Sequence, residues 1–253
     1  MNRMLRKIIA SLLFCLLVSL DDKALLSSEK EADVINLISD QLEEVGLPKG
    51  WKPLIFPKIS NHTLYTLVHE EGRTEIKAES HQSASGLYVP IELNPKVYSV
   101  LSWCWKINRI IEKGEETRKE GDDYAARIYV TFKYDSENAS LWERTKYGTI
   151  KLLYGKYPPK AAINYVWANH LQKGNVIPSP YTDRARMVAI ESGAEWVGQR
   201  RCETRNIFED YKRFFLKDPP SLSGIAVMTD TDNTLEEATA FYSDIVIRKP
   251  AEP

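Results

Sequence analysis

Residues 124–132 alternate strictly. Tyr124, Ala126, Ile128, Val130 and Phe132 fall on one side, and Ala125, Arg127, Tyr129 and Thr131 on the other. A period of two with β-branched and aromatic residues predicts a strand with one face in a core. The second side is mixed, and an arginine among aromatics there predicts contact with something polar. The same period recurs at 63–70 and 73–80, which flank Glu71-Gly72 and predict a hairpin. It returns at 87–93, 101–107, 149–154, 161–168, 186–191, 224–229 and 239–247, with Trp103 and Trp105 sharing one face of 101–107. Helical spacing occurs twice. Val34, Leu37, Ile38, Leu42 and Val45 follow the capping-box pair Ser28 and Glu31 and precede Gly46 and Pro48. Ile207, Tyr211, Phe214 and Phe215 mark a short helix over 206–215. Many short strands with two helices outside their series predict a mainly β, antiparallel sandwich with an N-terminal helix and one short inserted helix. The expected organisation is a segment 1–20, a helical segment 21–50 and a β-sandwich domain 51–253.

Composition narrows the class. Hydrophobic residues make up 43% and charged residues 27%, as in an ordinary globular chain. The 34 basic and 35 acidic residues nearly balance, which gives no electrostatic case for a nucleic-acid partner. The charge run 112–120 mixes both signs and predicts a solvated loop. Arg3, Arg6 and Lys7 precede the apolar run 8–20, which Asp21 and Asp22 close. That order predicts a secretory signal peptide over 1–20. No small-x-small pair precedes Asp21, so an uncleaved anchor is the alternative, and membrane contact is expected only in that case. Export would leave Cys104 and Cys202, either paired as a disulfide or as two separate buried thiols.

Candidate chemistry gathers at strand ends. Asp230, Asp232 and Asn233 place three short oxygen-bearing side chains directly after a strand. Hard cations, calcium above all, take oxygens from such compact segments. The helix-loop-helix calcium pattern fails, because Leu235 stands where it needs glycine and Phe241 where it needs glutamate. The alternative is a turn in which Asp and Asn bond their own backbone. Asp122 and Asp123 would add ligands if the two strand ends meet. Arg127 would grip a ligand or form an ion pair with Asp230 or Asp232. Asn164 and Trp167 combine an amide with an aromatic platform, which suits sugar recognition; the alternative for Trp167 is core filling. No nucleophile elbow, glycine-rich phosphate loop or metalloprotease helix motif is present in the sequence. Catalysis would therefore rest on the carboxyl pairs Asp122/Asp123 and Asp230/Asp232, as in polysaccharide hydrolysis or elimination.

Several stretches carry a resemblance: Ser83-Ala84-Ser85-Gly86-Leu87, the paired Trp103 and Trp105, 121–130, 163–167 and 228–234. Together they resemble the bacterial family called domain of unknown function number 3047, from about residue 51 to 247. The resemblance implies an exported, periplasmic protein without an assigned activity. Cys104 departs from the family pattern, which tends to place a basic residue between the two tryptophans. The closing run 242–247 is also similar to that of jelly-roll carbohydrate-binding modules, which implies a galactose-binding-like sandwich by analogy. The expected function is non-catalytic recognition of a glycan or another envelope component. A carboxylate-dependent hydrolase or lyase and a structural partner in the envelope are the alternatives.

Overall fold

The computed structural model describes residues 32–43, 46–70, 72–134 and 159–251. The expected strand 149–154 and the segment 1–20 lie outside the described residues. Two sheets face each other. The first runs β11 (Arg201–Asn206), β6 (Val100–Ile107), β13 (Glu237–Arg248), β4 (Arg73–His81) and β3 (Leu64–Glu70), with β1 (Val34–Asn36) on the end of β13. The second runs β2 (Lys52–Leu54), β5 (Ala84–Pro90), β12 (Leu222–Asp230), β7 (Arg127–Phe132), β8 (Ala161–Ala168), β10 (Thr182–Ser192) and β9 (Val176–Ser179). The fold is a jelly-roll-like β-sandwich.

Alternation decides what lies between the sheets. Leu101, Trp103, Trp105 and Ile107 on β6 are fully buried against Ile163, Tyr165 and Trp167 on β8. Trp103 stacks on Tyr165 at 5.3 Å between ring centres, and Trp105 meets Trp167 at 5.9 Å. Such ring pairs add to what burial of their area already contributes. Ile128, Val130 and Phe132 complete the same layer from β7. The other face of β7 points away from this core. There Arg127 stands in register with Met228 of β12 and Val166 of β8, and Tyr129 with Ala226 and Asn164.

Helix α1 (Ile207–Phe215) forms as its spacing predicts. Asn206 caps it by accepting from the Glu209 backbone N–H at 3.1 Å. Buried Asp210 ties it to the core, accepting from the Tyr165 hydroxyl at 2.7 Å and from the Arg205 Nε at 2.8 Å. Among the described residues no helix is long and apolar enough to cross a membrane.

Three expectations need correction. The helical spacing from Val34 to Leu42 does not produce a helix. Val34–Asn36 is instead a strand that pairs with Val246 to Arg248. The register of β4 on β13 ends at Tyr242, so the far end of β13 needs another backbone partner there, and β1 supplies it. Trp51 secures the turn by donating its indole N–H to the Leu37 carbonyl at 2.6 Å. Secondly, one pair is parallel: β8 and β10 run in the same direction, joined by a connection that carries β9. Thirdly, the charge run is not simply solvated. Glu116 is buried, and its Oε1 accepts from the backbone N–H groups of Asn169, His170 and Leu171 at 2.8, 2.9 and 3.2 Å.

Candidate functional site

The site begins with a turn that only glycine fits. A Cβ on Gly121 would lie 2.5 Å from the Glu115 backbone nitrogen. That close approach lets Glu115 donate its N–H to the Gly121 carbonyl at 2.8 Å. The turn delivers Asp122 and Asp123 just ahead of β7. Asp123 then gathers the segment after β12. Its Oδ2 accepts from the Thr234 N–H and hydroxyl, both at 2.7 Å, and its Oδ1 from the Asn233 side-chain amide at 3.0 Å. The ends of β7 and β12 are thus held side by side by one buried carboxylate.

Arg127 lies in the middle. Its guanidinium pairs with Asp230 and, at 3.4 Å, with Asp122. All three side chains are almost wholly buried. The rings of Tyr124 and Tyr129 stand 4.9 and 5.6 Å from the guanidinium carbon, on cation–π terms. Asp230 also accepts from the Tyr124 backbone N–H at 3.3 Å.

Above this triad opens a pocket of about 450 Å³. Arg127, Tyr129, Met228 and Asp230 line it from β7 and β12, and Asp122, Asp232 and Asn233 from the segments next to those strands. Residues 56–59, between β2 and β3, and Tyr181, in the turn between β9 and β10, also line it. Tyr181 is 54% exposed; its hydroxyl donates to the Lys119 carbonyl at 3.1 Å, and the Lys119 ammonium stands 5.5 Å from its ring centre.

Charge is crowded here. Burial pushes the Asp122 carboxyl above its ordinary range, against the pull of Arg127. Burial pushes Asp230 up as well; Arg127 opposes this, while Asp123, Asp122 and Asp232 reinforce it. Asp232 is raised by burial and by Asp123. Burial alone would lower Arg127, but Asp230 above all keeps it protonated. The Tyr129 hydroxyl is raised by burial and remains neutral.

Asp122, Arg127, Asp230, Asp232 and Asn233 therefore share one pocket, with Asp123 behind it. Carboxylate oxygens of Asp123, Asp230 and Asp232 lie within 4.8 Å of one another, a spacing that would suit a calcium ion. Asp123 and Asp230, however, already accept from the 233–234 turn, from Arg127 and from the Tyr124 backbone. The Asn233 amide nitrogen faces Asp123.

Two residues fall elsewhere. Trp167 is 1% exposed, and its indole N–H donates to the Gly193 carbonyl at 3.1 Å. It lies between the sheets and offers no ring face to a ligand. Asn164 is on the outer face but does not line the pocket; it is buried opposite Tyr129, with its amide 3.2 Å from the Met187 sulfur. The aromatic wall comes instead from Phe56, Tyr129 and Tyr181. The one sequence signal for Tyr181 is an aromatic in a proline-flanked turn, after Pro178-Ser179-Pro180. Cys104 and Cys202 are on the other sheet, in register on β6 and β11, and are joined by a disulfide.

The sequence profile of the family described as "Protein of unknown function (DUF3047)" matches residues 49–246. The chain belongs to this family. The matched span includes every residue of the pocket. No curated protein matches the chain in sequence. Among solved structures, the chain is similar to a CBM4 structure at 9% identity, covering 81% of this chain and 97% of that one, with a TM-score of 0.35. It is similar to the K1 cleaved adhesin domain of Lys-gingipain from Porphyromonas gingivalis W83 at 11% identity, covering 87% and 100%, with a TM-score of 0.36. It is also similar to the family 30 carbohydrate-binding module of a Clostridium thermocellum cellulosomal cellulase at 11% identity, covering 79% and 95%, with a TM-score of 0.36. These likenesses are distant, and the site itself has to carry the functional reading.

Proposed function

We propose that this protein is a glycan-binding domain that works without catalysis, and that the pocket over Arg127 is its binding site. One observation carries the reading: a fixed set of hydrogen-bonding groups stands directly beside aromatic rings on the outer face of the second sheet. Asp122, Asp232 and Asn233 present planar polar groups suited to sugar hydroxyls, above the buried Arg127–Asp230 pair, while Tyr129, Tyr181 and Phe56 present apolar faces suited to sugar C–H groups. The Arg127 triad is pre-organised by burial, so little side-chain entropy is lost on binding. The Cys104–Cys202 disulfide supports an oxidising compartment, in keeping with export to the periplasm.

The test is titration of the folded protein against a glycan array and then by calorimetry, beside Tyr181→Ala. Saturable binding that the variant loses supports the proposal. Absence of any glycan ligand, or binding indifferent to Tyr181, contradicts it.

A second reading rests on the upward-shifted carboxyls of Asp122, Asp230 and Asp232. A carboxyl that holds its proton more firmly than usual is suited to act as a general acid. Turnover of an envelope polysaccharide that vanishes in Asp232→Asn, with folding intact, would favour a hydrolase or lyase.

A further inference from the structure

The pocket is short of positive charge. Asp122, Asp230 and Asp232 line it and Asp123 stands directly behind. The cations beside them are Arg127 and the exposed Lys58, which also line the pocket, and Lys119, whose ammonium lies 5.5 Å from the Tyr181 ring centre. The two terminal nitrogens of Arg127 are committed to Asp122 and Asp230, while its Nε is buried with no hydrogen-bond partner among the described residues. The second oxygen of Asp122, Oδ1, makes no close hydrogen bond, on a side chain only 7% exposed, and the Tyr124 hydroxyl beside this carboxyl is unpaired as well. An unpaired buried carboxylate oxygen is costly, so it marks a position that a ligand donor is suited to fill.

A sugar hydroxyl would satisfy that oxygen but would leave the excess negative charge. A protonated amine satisfies both, because it donates up to three hydrogen bonds and carries the missing charge. The aromatic walls favour the same group, since ring faces attract an ammonium once water is displaced. A divalent cation fits less well. Calcium takes six to eight oxygens, whereas Asp123 and Asp230 are largely engaged within the protein.

Resting on the glycan-binding reading above, we infer that the site is selective for sugars with a free, protonated amine, which docks between Asp122 and Asp232 against Tyr181. N-acetylated and acidic sugars are then discriminated against: the first lacks the charge, and the second meets three carboxyls.

The experiment is nitrogen-15 chemical-shift titration of the intact protein at fixed ionic strength. The probes are glucosamine and galactosamine, their N-acetyl forms, and glucose and galactose, each with and without calcium chloride. The expected result is saturable shifts at Tyr181, Asp232 and Asn233 with the free amino sugars. Their affinity should exceed that of the N-acetyl and neutral forms by roughly tenfold or more. Asp122→Asn and Asp232→Asn should each abolish that preference. If Asp122→Asn fails to fold, the half-exposed Asp232→Asn decides the matter. Equal affinity for neutral and amino sugars overturns this inference and leaves glycan binding standing. Calcium that produces the same shifts and blocks glucosamine overturns it in favour of a metal site. No shift at these residues with any sugar overturns both readings.

Discussion

Arg127 and Asp230 are joined by an ion pair in which neither side chain is more than 3% exposed. Isolated charges this deep would cost several kcal/mol each, so the pair holds only while both members are present. Replacing Arg127 with Met leaves Asp122 and Asp230 buried without their cation and should lower stability by roughly 3–5 kcal/mol. The double variant Arg127→Met/Asp230→Asn should recover a substantial part of that loss. Urea unfolding of the two variants beside the parent checks this, and an undiminished loss in the double variant would show that the arginine acts through packing alone.

Trp167 and Tyr181 should respond in opposite ways. Trp167→Ala removes a fully buried ring packed on Trp105 and should cost about 3–5 kcal/mol in stability. Tyr181→Ala removes an exposed ring and should change stability by about 0.5 kcal/mol or less, while lowering ligand affinity. Thermal unfolding and calorimetry on both variants separate the two roles.

The strands were legible where one face is apolar and the other is not. In β4 and β6 the alternation is clean, and their bounds fall within a residue or two of the pattern; β8 is buried on both faces. β11 was not legible: Arg201-Cys202-Glu203-Thr204-Arg205-Asn206 has no apolar face and becomes a strand only because β6 offers it an edge. β1 was obscured by helical spacing that a backbone requirement on β13 overrides. The acids and Arg127 could be read as a site because short polar residues cluster at two strand ends. Residues 56–59 and Tyr181 could not, because their position over the sheet is set by tertiary folding. Trp167 illustrates a separate limit: alternation sorts side chains onto two faces without saying which one is inside.

The carboxyls of Glu191 on β10 and Glu203 on β11 act on each other's titration. Burial, then Glu191, pushes the Glu203 carboxyl up to about 7. Burial also pushes Glu191 up, but Lys173, Glu203 and Arg201 together bring it below its ordinary range. Glu203 thus keeps a proton in the folded state that the unfolded chain gives up near pH 4.5. Its contribution is complete below that pH and is lost as pH rises through about 7. Because Glu203 is partly exposed, solvent screening reduces the effect to about 1 kcal/mol. Urea unfolding at several pH values between 4.5 and 8 should show a smaller fall in stability with pH for Glu203→Gln than for the parent. Parallel curves would rule out a shared proton.

The disulfide closes a separation of 98 residues between neighbouring strands of the first sheet. Cys104→Ala/Cys202→Ala should lose roughly 2–4 kcal/mol of stability. Ligand affinity should be unchanged, since neither residue lines the pocket. Denaturant unfolding and calorimetry on the same preparation test both halves of that statement.

A crystal structure of the protein with an oligosaccharide it binds would test the central claim most directly. The sugar should sit over Arg127, with a ring against Tyr181 and hydroxyl or amine groups on Asp122 and Asp232. A sugar seated elsewhere, such as the smaller cavity lined by Lys173, Glu203, Arg205 and Arg213, would contradict the assignment of the site.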